Sequence, residues 1–238
     1  YSQDYGGKLT PDWWSFEYFQ ADPTVLDSVY HKIMWHYCAE KYWNNPKILF
    51  CPAATKVAKR DGSTPDPEAA QKWPQWGHTE WAWWTEWSES DPLKSTGHAP
   101  MSSYGVNDYA CTPYRTNETA QAEANKIFWG NINQKNASSI PMAFDSAWYA
   151  VAPSLTDRHQ GAPPNTALTK HHMTDYSFAP ILLPRHSDGI NMVFMDGHIS
   201  RVGLKEVYKL KWHKQFDTQN MYTKPDYRWV PWMQKYRN

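Results

Sequence analysis

The stretch RHSDGINMVFMDGHIS, Arg185 to Ser200, limits the possible folds more than any other part of this chain. Asp196-Gly197 stands between INMVFM and HISRV, two short runs with an apolar, β-branched and aromatic bias. Asp-Gly between two such runs is the strongest short-range hairpin signal, because both central residues of a type I′ turn need positive φ. The pattern predicts a strand over Ile190–Met195 and a turn at Asp196-Gly197, with Asp188-Gly189 as the turn leading in. Turn chemistry thus accounts for Asp196. It leaves His186 unexplained.

A catalytic His186 would need an orienting partner and a nucleophile within hydrogen-bond reach. Ser187 is adjacent, but side chains at successive extended positions point to opposite faces. The chain has no Gly-x-Ser-x-Gly elbow. No catalytic residue is expected, and His186 reads as a clasp that bonds across the hairpin or to a neighbouring loop.

Elsewhere the pattern predicts helices and scattered strands, an α+β arrangement. Asp22 and Pro23 start a helix over Thr24–Trp43, whose apolar face carries Leu26, Val29, Tyr30, Ile33 and Tyr37. KILFC (Lys47 to Cys51), SSYGVN (Ser102 to Asn107) and IPMAFD (Ile140 to Asp145) read as strands. Thr116 to Phe128 reads as a short helix capped by Thr116 or Asn117, and Val202 to Phe216 as another. Ser154 to Pro180 reads as loop, and the tail with Trp229, Pro231 and Trp232 is aromatic enough to pack back on the body.

Aromatic content sets the character of the core: 15 Trp, 15 Tyr and 8 Phe make 16% of the 238 residues. Their NH and OH groups need partners when buried. Six of the Trp fall between 73 and 87, inside a Pro-rich excursion over 53–100 of a single domain spanning 1–238. Trp73, Trp76, Trp81, Trp83, Trp84 and Trp87 are the candidates for a contact surface, either between subunits or on sugar rings. Lys plus Arg equals Asp plus Glu at 24 each, so no basic field points to nucleic acid.

His186, nine residues, then Asp196-Gly197 resembles the His-x9-Asp-Gly signature of prepilin-type processing-associated proteins, which are secreted and pseudopilin-like. YSQDYGGKLTP, ILFCPAA, SYGVN, IPMAFDSAWY, VGLKEVYKLKWHKQFDT and WVPWMQKY also resemble the pattern of that family, covering nearly the whole chain outside 53–100. The resemblance implies a pilin-like globular domain with an antiparallel sheet and a C-terminal hairpin followed by a helix. A hydrophobic N-terminal helix with a prepilin-peptidase cleavage site is implied ahead of Tyr1. The function implied is non-enzymatic: an exported, extracellular or surface subunit whose partners are copies of itself and secretion or pilus machinery. Binding of a surface polysaccharide through the Trp residues is the alternative.

The three cysteines form no CxxC motif and no zinc spacing. They are compatible with one disulfide plus a free thiol or with three buried thiols, and Cys51 with Cys111 is the candidate pair. Among the histidines, His159, His171, His172, His186 and His198 show no HExxH or i,i+4 pairing. No cofactor is expected from these residues. Calcium is the ion the resemblance suggests, with Asp145, Asp175 and Asp188 as candidates, although they lack EF-hand spacing. Asn117-Glu118-Thr119 and Asn136-Ala137-Ser138 match the glycosylation triplet.

Overall fold

Gly189–Phe194 and Ile199–Gly203 form the predicted hairpin at one edge of a five-stranded sheet. The computed structural model describes residues 6–8, 45–54, 56–57, 77, 79, 81–84, 101–113, 115, 117–153, 178–218 and 231–236. The Thr24–Trp43 helix, Cys38, Trp73, Trp76, Trp87, Asp175 and Trp229 lie outside the described residues. In chain order the strands are β1 (Lys56–Val57), β2 (Trp81–Trp84), β3 (Met101–Ser102), β4 (Tyr104–Asn107), β5 (Pro141–Asp145), β6 (Ala150–Val151), β7 (Gly189–Phe194) and β8 (Ile199–Gly203). The helices are α1 (Glu118–Ile127) and α2 (Pro231–Gln234). This is a mixed α/β domain with few helices.

The main sheet runs β6-β4-β5-β7-β8, and β1-β2-β3 form a second, three-stranded sheet. An all-antiparallel sheet is not what forms, because β6 pairs with β4 in parallel, Val106 opposite Ala150. Gly105 permits this. A Cβ there would collide with the Trp148 carbonyl and the Ser146 side chain, so only glycine lets the chain leaving β5 cross close over β4.

In β7 successive side chains point to opposite faces: Ile190, Met192 and Phe194 are buried while Asn191 is exposed. They join Phe144, Phe178, Leu204, Val207, Tyr208, Trp212 and Phe216 in one core cluster. The Phe178 ring lies 4.4 Å from Tyr208 and stands edge-on to Trp212 at 5.7 Å. At the end of β4, buried Asn107 donates to the carbonyls of Pro141 and Trp212, each at 2.9 Å, and so ties two distant segments together. Met233 of α2 is buried in the same cluster, with Trp232 and Tyr236 against it, so the end of the chain does pack on the body.

The turn between β7 and β8 differs in type from the expectation. Only Gly197 of the Asp-Gly pair has positive φ, at 89°. Gly197 N donates to Phe194 O at 2.9 Å, and Phe194 N donates to His198 O at 3.0 Å. That is a three-residue loop ending in a left-handed glycine, not a two-residue type I′ turn. Asp196 Oδ1 accepts from His198 N at 3.2 Å and meets His198 Nδ1 at 2.6 Å. This pairing draws the Asp196 carboxyl below its usual range.

Two further elements are corrected. KILFC is not a strand. Asn45 caps Lys47 N at 3.0 Å and Pro46 presets φ, so Pro46–Leu49 winds into a 3-10 turn. Val202 to Phe216 is not a helix either. Val202 is already paired with Ile190 in the hairpin, and Leu204 N is held by Asp188 O at 3.1 Å. Only Glu206–Lys209 makes a short 3-10 turn. The helix expected from Thr116 does form as α1, and Asn117 Oδ1 caps it by accepting from Thr119 N and Ala120 N at 2.9 and 3.2 Å.

Candidate functional site

His186 meets two side chains that its sequence neighbourhood does not announce. It lies in the turn before β7, where His186 N donates to Gly189 O at 3.2 Å and Ser187 takes a left-handed φ of 68°. Asp145 is the last residue of β5 and is fully buried. Cys51 follows the 3-10 turn, and its backbone N–H is held by Ser103 Oγ. The surrounding segment is fixed to the β3–β4 junction by Ser103 N on Leu49 O at 3.0 Å and by Ser102 Oγ on the same carbonyl at 2.7 Å.

Three potential ligand atoms meet here. His186 Nε2 stands 3.2 Å from Cys51 Sγ and 3.1 Å from Asp145 Oδ2, and all three atoms lie within 4.8 Å of one another. Asp145 Oδ2 also accepts from Asn191 N at 2.7 Å. Asp145 Oδ1 is buried without a hydrogen-bond partner, and the Arg185 guanidinium stands 3.8 Å from it. Arg185 is itself buried. It donates from NH1 to Ser103 O and from Nε to Thr79 O at 3.3 Å, and burial brings its pKa down to about 10.

No family model, curated protein or solved structure matches the chain. The chemistry of the cluster therefore rests on its own geometry. A Cys–His–Asp relay places the thiol on one imidazole nitrogen and the carboxylate on the other. Here both sit on Nε2, so whichever tautomer the ring adopts, the carboxylate does not orient the base for the thiol. Burial, reinforced by the Asp145 charge, pushes the Cys51 thiol up rather than down, the opposite of an activated nucleophile. Tyr104 beside it is pushed up to about 12, first by burial and then by the negative charges of Cys51 and Asp145. The arrangement suits holding, either as a side-chain clasp or around a cation.

The other expected sites fare differently. Cys51 and Cys111 are buried and carry no disulfide, so the candidate pair is not formed: Cys51 Sγ faces His186, while Cys111 Sγ lies 3.8 Å from Asn107 O. Trp83 is no contact platform. Its ring is fully buried against Trp148 and Tyr149 at 6.2 and 5.9 Å, with Nε1 donating to Tyr104 O at 2.9 Å. Trp81 and Trp84 share its strand. Asp145 is drawn to Cys51 and His186, and Asp188 to Arg201 at 3.7 Å, so these two calcium candidates turn to different partners. Asn117 serves as a helix cap, and Asn136 takes a left-handed φ of 59° where its carbonyl accepts from Ser139. Among the described residues no helix is long and apolar enough to cross a membrane.

Sequence reasoning missed Cys51, Ser103, Tyr104 and Arg185 as parts of this site. One signal was present: IPMAFD ends an apolar strand on a carboxylate, where Phe144 and Asp145 are both buried although adjacent.

Proposed function

We propose that the chain is a non-enzymatic, exported structural subunit of the pseudopilin-like kind, which assembles with copies of itself into an extracellular filament or surface array. The pilin-like character of the fold and the engagement of secretion or pilus machinery belong to the same proposal, and they rest on the residue-level resemblance. The observation that carries the reading is the use made of the His-x9-Asp-Gly stretch. Its residues build a hairpin whose outer strand, β8, is the last strand of the sheet among the described residues.

One side of β8 is paired to β7. Among the described residues its other side pairs with no strand, which would leave a row of backbone donors and acceptors to which a strand from another copy can add. Ile199 at its start is 72% exposed, a large apolar side chain where a monomer would favour a charge. Equal numbers of acidic and basic residues leave no net charge to hold copies apart.

Sedimentation velocity across a concentration series, with negative-stain electron microscopy of the same samples, tests the proposal. Concentration-dependent growth or filaments, reduced by Ile199→Lys, is the expected result. A strictly monomeric wild-type protein at the highest concentration reached refutes self-assembly.

A further inference from the structure

We propose that Cys51, Asp145 and His186 form a binding site for one zinc-type divalent ion, held jointly by the three segments that carry them. The inference does not depend on whether copies assemble.

The donor set comes first. A sulfur, an imidazole nitrogen and a carboxylate oxygen are ligands that Zn²⁺ accepts together, whereas Ca²⁺ takes six to eight oxygens and is poorly served by thiol and imidazole. Separation comes next. Ligand atoms on a tetrahedral zinc stand about 3.2–3.6 Å apart, as follows from bonds of about 2.0–2.3 Å. Nε2 lies 3.2 Å from Sγ and 3.1 Å from Oδ2, so small movements admit an ion between all three.

The cluster also satisfies itself poorly. Nε2 is shared between Sγ and Oδ2, both within 3.2 Å of it, and buried Asp145 Oδ1 has no hydrogen-bond partner. An ion at the point where the three converge would satisfy Nε2, Sγ and Oδ2 at once. Arg185 would then face the distal oxygen of a ligating carboxylate, and Asn191 N would fix the proximal one at 2.7 Å, the outer contacts that orient metal ligands.

The His186 side chain is 26% exposed while that of Asp145 is fully buried, so the histidine is the side from which solvent would supply a fourth ligand. Binding breaks no covalent bond except the Cys51 S–H, whose proton passes to solvent.

The test is cobalt substitution in the full chain after chelator treatment, with circular dichroism to confirm folding. Expected is one equivalent of Co²⁺ with a thiolate charge-transfer band and tetrahedral visible bands, displaced by Zn²⁺. The charge-transfer band should vanish in Cys51→Ser and persist in Cys38→Ser and Cys111→Ser. His186→Gln, at a partly exposed position, should weaken binding by more than about 10-fold. The wild-type spectrum decides the matter even if Cys51→Ser does not fold. Folded wild-type protein that binds neither ion, or binds Co²⁺ without a thiolate band, overturns the proposal, as does a band that survives in folded Cys51→Ser.

Discussion

Acid should destabilise this protein through His213 in particular. The residue is 7% exposed, its ring packs 4.7 Å from Tyr109 and edge-on to Phe216 at 5.3 Å, and its Nδ1 has no hydrogen-bond partner. Burial, helped by the positive charge of Lys211, lowers its pKa from 6.5 to about 4. In the unfolded chain it titrates near the ordinary value of about 6.5. Between those pH values the unfolded state binds a proton that the folded state does not, so stability falls as pH drops from about 6.5 to about 4. At about 1.4 kcal/mol per pH unit, the full gap corresponds to a ceiling of about 3 kcal/mol. Substituting His213→Phe keeps the ring contacts and removes the titration. Urea unfolding of both proteins from pH 7.5 to pH 4 reads the difference, which isolates this residue from the other titrating groups. The two stability curves should run parallel above about pH 7 and separate below it, with the variant losing about 2–3 kcal/mol less at the acid end. Curves that stay parallel throughout would refute the assignment of acid lability to His213.

Two other perturbations follow from the same contacts. Arg185→Met leaves the buried Asp145 charge without its facing guanidinium and should cost about 3–5 kcal/mol in urea unfolding, part of which returns in the Arg185→Met/Asp145→Asn double variant; an unchanged midpoint in the single variant would contradict the pairing. Gly189→Ala drives a Cβ into the backbone carbonyl of Val202 on the neighbouring strand and should cost about 1–3 kcal/mol, whereas Gly197→Ala meets no atom within 4 Å and costs about 1 kcal/mol through its positive φ alone; thermal melts that rank the two in reverse would contradict the packing.

What the sequence reveals divides by distance along the chain. β7, β8 and α1 are legible because their determinants are local: an apolar, β-branched run plus a glycine turn in one case, the Asn117 cap in the other. The precise turn type is not, because Asp-Gly serves a three-residue loop with only Gly197 left-handed as well as it serves type I′. Val202, Leu204, Val207, Tyr208 and Trp212 are all buried, and apolar residues so spaced fit a helix or an irregular run packed under the sheet equally well. Trp83 looks like a surface platform in a polar, Pro-rich stretch, and only the fold reveals Trp148 and Tyr149 covering it. The Cys51–His186 contact joins residues 135 positions apart, which no motif spacing encodes.

The place of Asp145 at the end of β5 has a consequence for strand alignment. The β5–β7 ladder runs as far as Phe144 opposite Met192, and at the next position the Asp145 carboxylate, not a backbone carbonyl, receives the Asn191 N–H. The ladder therefore ends where the cluster begins. Sliding β7 by one residue would carry it about 3.3 Å along β5 and turn Ile190, Met192 and Phe194 out of the core. His186, tied to the start of β7 through Gly189, would move with it and leave Cys51 and Asp145 together. The three side chains thus act as an index mark for the sheet: they meet in one alignment of the strands and are parted in its neighbours.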